Sequence, residues 1–187
     1  SDLLLTPSPD ADVTLKAEGK NMTGVECVGN IMIDTLFENI ARAKDLKVYE
    51  KLGLEEGSYA VMTLHRPSNV DDKPTLARLL GALVEVSSTL PIVFPRHPRT
   101  AKKLEEFGLM EKAQEGLRMI EPLGYLEFIS LMSRSKMVLT DSGGLQEETT
   151  ALGIPCITVR ENTERPITVE QGTNIVVGTD ADRIVEE

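Results

Sequence analysis

Short apolar runs alternate along the chain with longer stretches in which apolar residues recur every three or four positions. Tyr59-Ala60-Val61-Met62-Thr63-Leu64 is the first clear run, and its continuous apolar character predicts a buried strand. Residues 73–88 place Leu76, Leu79, Leu80, Leu83 and Val84 at helical spacing. Pro91-Ile92-Val93-Phe94 predicts the next strand, and residues 100–107 predict a helix closed by Gly108. Leu117-Arg118-Met119-Ile120 follows as a third strand, then a helix over 125–133 with Leu126, Ile129, Leu131 and Met132 facing inward. Met137-Val138-Leu139-Thr140 is a fourth strand, followed by a helix over 145–152 that Gly153 and Pro155 end. Cys156-Ile157-Thr158-Val159 and Asn174-Ile175-Val176-Val177 complete the series.

These strands are apolar on both faces, and they alternate with amphipathic helices. A parallel sheet covered by helices on both sides requires that pattern. The predicted fold class is therefore α/β, a doubly wound, Rossmann-like parallel sheet from about residue 28 onward. Ligands of such sheets bind beyond the carboxyl ends of the strands, so the loops after each strand are where chemistry is expected. The two ends read differently. Residues 1–6 resemble a strand with no preceding turn, and residues 180–187 a helix cut short, so a piece of a longer protein is expected.

Composition narrows the partners. A length of 187 residues suits one full domain plus a remnant. Hydrophobic residues make up 41%, enough for a core, while aromatics at 4% leave aliphatic side chains to fill it. The net charge of -10 disfavours a nucleic-acid partner, and any anionic ligand needs a local basic site built against that field. Cys27 and Cys156 lack a neighbouring Cys or His at metal-ligand spacing. They read as two buried reduced thiols, which fits the reducing cytoplasm. No apolar run approaches the ~20 residues of a membrane span, and none reads as a signal peptide.

The loops carry the candidate chemistry. His65-Arg66-Pro67-Ser68-Asn69 follows the first strand and Pro95-Arg96-His97-Pro98-Arg99 the second, and these hold both histidines of the chain. Histidine and arginine there are either structural or donors to phosphate and sugar oxygens. Asp141-Ser142-Gly143-Gly144 joins a strand to a helix. Two glycines let a backbone approach an anion closely, and the helix start aims N–H groups and a dipole at it, with the Ser142 hydroxyl as a further donor. The competing reading is a plain helix cap by Asp141 or Ser142. No Lys-Ser/Thr follows, and the spacing is not G-x-G-x-x-G, so ATP hydrolysis and dinucleotide binding lose their usual support. Glu147 and Glu148 suit the helix dipole, and one of them can reach the cleft, where a carboxylate could chelate ribose hydroxyls. Arg160-Glu161-Asn162-Thr163-Glu164-Arg165-Pro166 is either a solvated turn or part of the site.

Taken in order, Val28-Gly29-Asn30 with Ile33-Asp34, Thr63-Leu64-His65-Arg66, Asp141 through Glu148, Thr163-Glu164-Arg165-Pro166 and Gly172-Thr173-Asn174 resemble the non-hydrolysing UDP-N-acetylglucosamine 2-epimerases. The resemblance covers essentially the whole chain. It implies one half of a GT-B-type two-domain fold, with residues 1–27 the remnant of the N-terminal domain and linker. Residues 28–187 would be the C-terminal UDP-binding domain. It implies that Ser142, Gly143 and Gly144 hold the diphosphate, Glu148 the ribose, Phe128 the uracil face and backbone near Leu123 its edge. His65, the catalytic candidate in this half, and Arg165 would face the diphosphate or the sugar, and Arg66 and His97 a further sugar or regulatory contact. Phe128 read on its own is equally a core residue of its helix. The implied reaction interconverts UDP-GlcNAc and UDP-ManNAc by eliminating and re-adding UDP, without metal or nicotinamide, in a homodimer of the full-length protein. The acid and base are expected in the N-terminal domain.

Two positions depart from the family pattern. Ser68 stands where a Glu is common, and Ile167 follows Pro166 where another Glu is common, so no carboxylate role is carried to either. A neighbouring specificity or the hydrolysing relative therefore stays open, as do a GT-B glycosyltransferase and a non-catalytic UDP-sugar sensor.

Overall fold

The computed structural model describes residues 2–187; Ser1, with which the first predicted strand begins, lies outside them. The chain starts with a small unit of its own. Strands β1 (Leu4–Thr6) and β2 (Val25–Cys27) pair in parallel with each other, joined by helix α1 (Pro9–Ala17). The expected strand at this end is present, and α1 and β2 are additions to it. Cys27 is exposed on this unit, which corrects the expectation of two buried thiols; only Cys156 is buried, and both are free.

Helix α2 (Ile31–Asp45) follows, where the motifs suggested a linking segment. Asn30 caps it by accepting from the Met32 N–H at 2.9 Å. Its buried Leu36 and Ala43 pack with Ile129. A short helix α3 (Val48–Lys51) leads to β3 (Ala60–Thr63), then α4 (Pro67–Val70) and α5 (Lys73–Ser87). Next come β4 (Ile92–Pro95), α6 (Pro98–Glu106), α7 (Met110–Gly116) and β5 (Arg118–Ile120). The remaining elements are α8 (Tyr125–Met132), β6 (Met137–Thr140), α9 (Gly143–Leu152), β7 (Cys156–Thr158), α10 (Pro166–Glu170), β8 (Asn174–Val176) and α11 (Ala181–Glu186). Gly108 (φ 68°) and Gly153 (φ 70°) stop α6 and α9 in the left-handed region that glycine enters without penalty.

Strands β3 to β8 form one parallel sheet in the order β5-β4-β3-β6-β7-β8. The chain builds outward from β3 to one edge, returns, and builds from β6 to the other, which is a doubly wound, Rossmann-like sheet. The apolar runs are continuous because both faces are covered. Ala60 and Met62 of β3 join one core with Leu76, Leu79 and Leu83 of α5 and Ile184 of α11. Tyr59 and Val61 turn to the other, with Leu131 and Met132 of α8. Alternation of period two is thus present, but both phases are apolar. Among the described residues no helix is long and apolar enough to cross a membrane.

The strand order puts β3 beside β6, in register from Ala60 with Met137 to Thr63 with Thr140. Their helices leave on opposite faces, so a crevice opens above their carboxyl ends. If α2 belongs to this core as the packing states, Leu36→Ala costs about 2–5 kcal/mol, as buried truncations do, while Phe37→Ala, 54% exposed, costs under about 1 kcal/mol. Urea unfolding measures both, and equal costs would contradict the packing.

Candidate functional site

The site is built where β3 and β6 end. Thr63 and Thr140 close the two strands with their hydroxyl oxygens 2.7 Å apart. Thr140 Oγ1 also accepts the Ser142 N–H at 2.9 Å, which turns the chain sharply into α9. Asp141, between them, is fully buried. Its carboxylate crosses to the other loop. There it accepts the His65 N–H at 2.9 Å, the Arg66 N–H at 2.7 Å and the Asn69 Nδ2–H at 3.2 Å. His65 Nδ1 stands 3.0 Å from its second oxygen. Asp141 is therefore not a cap of α9, as one reading of the motif had it; it clamps the β3 loop to the β6 loop. Burial alone would raise its carboxyl, but the side-chain bond from His65 and the backbone bonds from Arg66 and His65 outweigh that and hold it below the ordinary range.

With Asp141 turned away, no side chain caps α9. Ser142 is the N-cap residue and makes no side-chain bond to the helix. The amides of Gly143, Gly144 and Leu145 are the first of the helix and have no intrahelical acceptor. A Cβ on Gly144 would meet nothing within 4 Å, whereas one on Gly143 would stand 3.2 Å from Glu164 Oε2. This is the geometry of an anion nest at the positive end of a helix dipole.

A cleft of about 280 Å³ opens beside it, lined by His65, His97, Leu123, Phe128, Ser142 and Leu145 among others. It spans the carboxyl ends of β3, β4, β5 and β6. Its walls are mostly apolar, with Pro95, Pro98 and Pro122 completing them. A larger cavity of about 590 Å³ lies after β8, between Arg78 and Arg183. It contains none of the nest residues.

His65 uses Nδ1 on Asp141, so that nitrogen carries a proton and Nε2 is left for the cleft. His97 faces it with ring centroids 5.2 Å apart, but its Nδ1 accepts the Arg99 N–H at 3.2 Å as the N-cap of α6. The helix thus begins at Pro98, two residues before the sequence reading. Arg96 and Arg99, counted among possible anion donors, pair instead with Glu121 and Asp71. On α9, Glu147 Oε1 lies 3.1 Å from Arg165 Nε. Glu148, 5% exposed, lies 3.5 Å from Tyr125 Oη. Burial, reinforced by Glu147, raises its carboxyl against the opposing bond from Tyr125.

The loop after β7 brings more charge to the nest than its sequence suggested. Arg160 donates to Glu164 at 3.0 Å and 2.8 Å, Arg66 Nη2 stands 3.9 Å away, and Arg165 Nη1 donates to the Glu164 carbonyl at 3.4 Å. The Arg160 bonds hold the Glu164 carboxyl down at about 2. Thus Ser142 meets His65, Leu123 and Phe128 at the cleft, Gly143 and Gly144 follow it at the start of α9, and Arg66 and Arg165 stand on the charged side around Glu164 and Glu147. Glu148 lies one turn further along α9, and His97 on the far wall. Tyr125, Arg160 and Thr140 had no assigned part; the only sequence signal was a threonine ending both neighbouring strands.

Fold and site together define a class: a Rossmann-type domain with an anion nest at the switch point of its sheet. Comparison with known proteins narrows it. The family model described as UDP-N-acetylglucosamine 2-epimerase matches residues 1–187, and the chain belongs to that family. A UDP-N-acetylglucosamine 2-epimerase homolog of Methanococcus maripaludis is 42% identical over 100% of this chain and 52% of its own length. A UDP-2,3-diacetamido-2,3-dideoxy-D-glucuronate 2-epimerase of Pseudomonas aeruginosa is 39% identical over 100% of this chain and 51% of its own. The crystal structure of Methanocaldococcus jannaschii UDP-GlcNAc 2-epimerase in complex with UDP-GlcNAc and UDP superposes with a TM-score of 0.90 at 39% identity. It is matched over 100% of this chain and 53% of that one. The chain therefore spans about half the length of its relatives, and its sheet is one half of a GT-B-type fold.

The Asp141 clamp has a pH signature. Its carboxyl is lower in the folded than in the unfolded state, so its stabilisation is complete above the ordinary carboxylate range and disappears as pH falls through the lowered folded value. Asp141→Asn should cost about 1–3 kcal/mol at neutral pH, as charge-assisted bonds do. It should also flatten the loss of stability on acidification. Urea unfolding of both proteins between neutral and acid pH tests this, and parallel curves would contradict the clamp.

Proposed function

We propose that the full-length protein is a UDP-N-acetylglucosamine 2-epimerase and that this chain is the half that holds UDP. One observation carries the reading: the uncapped start of α9 opens on an apolar cleft at the switch point. The amides of Gly143 and Gly144 and the Ser142 hydroxyl hold the diphosphate, and Arg165 and His65 Nε2 stand at its sugar end. Phe128 lies against the uracil, whose edge meets backbone near Leu123, and Glu148 binds the ribose hydroxyls. Arg66 and His97 supply a further sugar or regulatory contact.

The reaction follows from what C2 of the sugar lacks. No neighbouring carbonyl acidifies its proton, so direct removal is difficult. Elimination avoids this: a base takes the C2 proton, the C1–O bond breaks toward UDP, and a 2-acetamidoglucal remains. UDP then re-adds to C1 while a proton arrives on the other face of C2. Charge grows on the diphosphate as C1–O breaks, and preorganised N–H donors and cations lower that barrier. This route draws on neither a metal nor a nicotinamide. The proton-transferring carboxylates belong to a second domain, of which residues 1–27 are the last part. Among the described residues β1 and β2 pair only with each other, which supports this, since a two-stranded sheet with Leu5 exposed is marginal alone. The choice of sugar lies with that domain too. The Pseudomonas aeruginosa relative, nearly as similar across this half, is named for a different hexose derivative. By family likeness the whole protein is a homodimer of the reducing cytoplasm.

Calorimetric titration of UDP into the full-length protein and its Ser142→Arg variant tests the nest. Binding should weaken at least about tenfold, because the side chain enters the diphosphate's place and its donor is lost; equal affinities would remove the claim. Incubating the full-length enzyme with UDP-N-acetylglucosamine in deuterium oxide tests the chemistry. Deuterium is expected at C2, whereas a glycosyltransferase or a sensor would leave C2 protonated.

A further inference from the structure

Behind α9, away from the cleft, a set of polar side chains is buried where apolar ones would be expected. Gln146, two residues past Gly144, is 0% exposed. Its Oε1 accepts from Thr163 Oγ1 and from Asn174 Nδ2, the latter at 3.3 Å. Asn174 of β8 also donates to Thr168 Oγ1 at 3.0 Å and accepts from Thr158 Oγ1 at 2.6 Å. Gln146 Nε2 is buried with no hydrogen-bond partner, so this residue is held through its carbonyl oxygen alone. Gly172 closes the set: a Cβ there would stand 2.5 Å from both Thr150 Oγ1 and the Thr168 carbonyl.

Thr163 faces two ways. While donating to Gln146, its hydroxyl oxygen accepts the Arg165 N–H at 2.9 Å. The two residues that follow it stand on the charged flank of the nest. Arg165 Nε lies 3.1 Å from Glu147, and Glu164 Oε2 lies 3.2 Å from where a Gly143 Cβ would be. The same turn of α9 thus presents amides outward and grips the β7 loop inward.

We infer that Thr163, held by Gln146, is a positioning residue for the diphosphate: it fixes where Arg165 and Glu164 stand beside Gly143 and Gly144. This rests on the nucleotide reading above and assigns a part to Thr163, Gln146 and Asn174, which touch no ligand themselves. Without the hydroxyl, the loop loses its tie to α9 and its charged pair drifts from the nest, while the apolar slot for the base is untouched.

The test uses the full-length protein and two ligands, UDP and uridine, with binding followed by NMR titration. Thr163→Val deletes the hydroxyl at nearly constant shape, and Thr163→Ser keeps it. Thr163→Val is expected to weaken UDP about tenfold and to leave uridine within about twofold, with Thr163→Ser matching wild type for both. In an Arg165→Ala background, Thr163→Val should weaken UDP little further. Should Thr163→Val not fold, Gln146→Met, which deletes the acceptor at similar volume, is read by the same titrations. Unchanged UDP affinity, equal loss of both ligands, or simple addition to Arg165→Ala would each overturn the inference. Wild type failing to bind UDP at all would instead overturn the nucleotide reading, and this inference with it.

Discussion

The bond system of one buried carboxylate decides the shape of the site. A doubly wound sheet splits at its switch point, because the chain leaves neighbouring strands toward opposite faces. Here β3 runs into α4 and α5 on one face, and β6 runs into α9 on the other. Asp141 spans the split, taking two backbone N–H groups, the Asn69 amide and the His65 ring from the opposite loop. Asn69 in turn donates to the Val159 carbonyl at 2.9 Å, which brings the end of β7 into the same joint. Because Asp141 is committed to this joint, it is withheld from α9, and the start of that helix stays open. Clamp and nest are two consequences of one side-chain direction.

The local charges explain how a chain of net charge -10 can present an anion site. Arg66, Arg160 and Arg165 crowd the nest, yet Glu147 and Glu164 lie among them at ion-pair distance. The arginines are thus paired with carboxylates, and much of their charge is answered within the chain. For the proposed diphosphate, selectivity then rests on the oriented amides of α9, whose partial charges are fixed by the helix rather than by mobile side chains.

The alternation of strand and helix was legible because every central strand is buried on both faces, leaving apolar runs with few competing readings. The turn into α9 was legible because Ser142-Gly143-Gly144 sits between a strand and a helix. Other features were hidden for physical reasons. Helix α2 buries only Leu36 and Ala43, beside exposed Ile31, Met32 and Phe37, so no strongly apolar stretch marks it. Asp141 looked like a cap because a local pattern cannot show that its partners lie on the distant loop after β3. The capping role of His97 was hidden because its bond depends on a helix starting at Pro98. The Gln146-Thr163-Asn174 network joins three separate motifs, and only the packing of α9 against α10 and β8 brings them together.

The central claim is that the open start of α9 at the switch point receives a diphosphate. Nitrogen-15 amide shifts of the full-length protein, recorded with UDP and with uridine, test it at single residues. The amides of Gly143, Gly144 and Leu145 should move strongly with UDP and little with uridine, while residues around Phe128 respond to both. UDP shifts that bypass these three amides and gather instead around Arg78 and Gly178 would contradict the account.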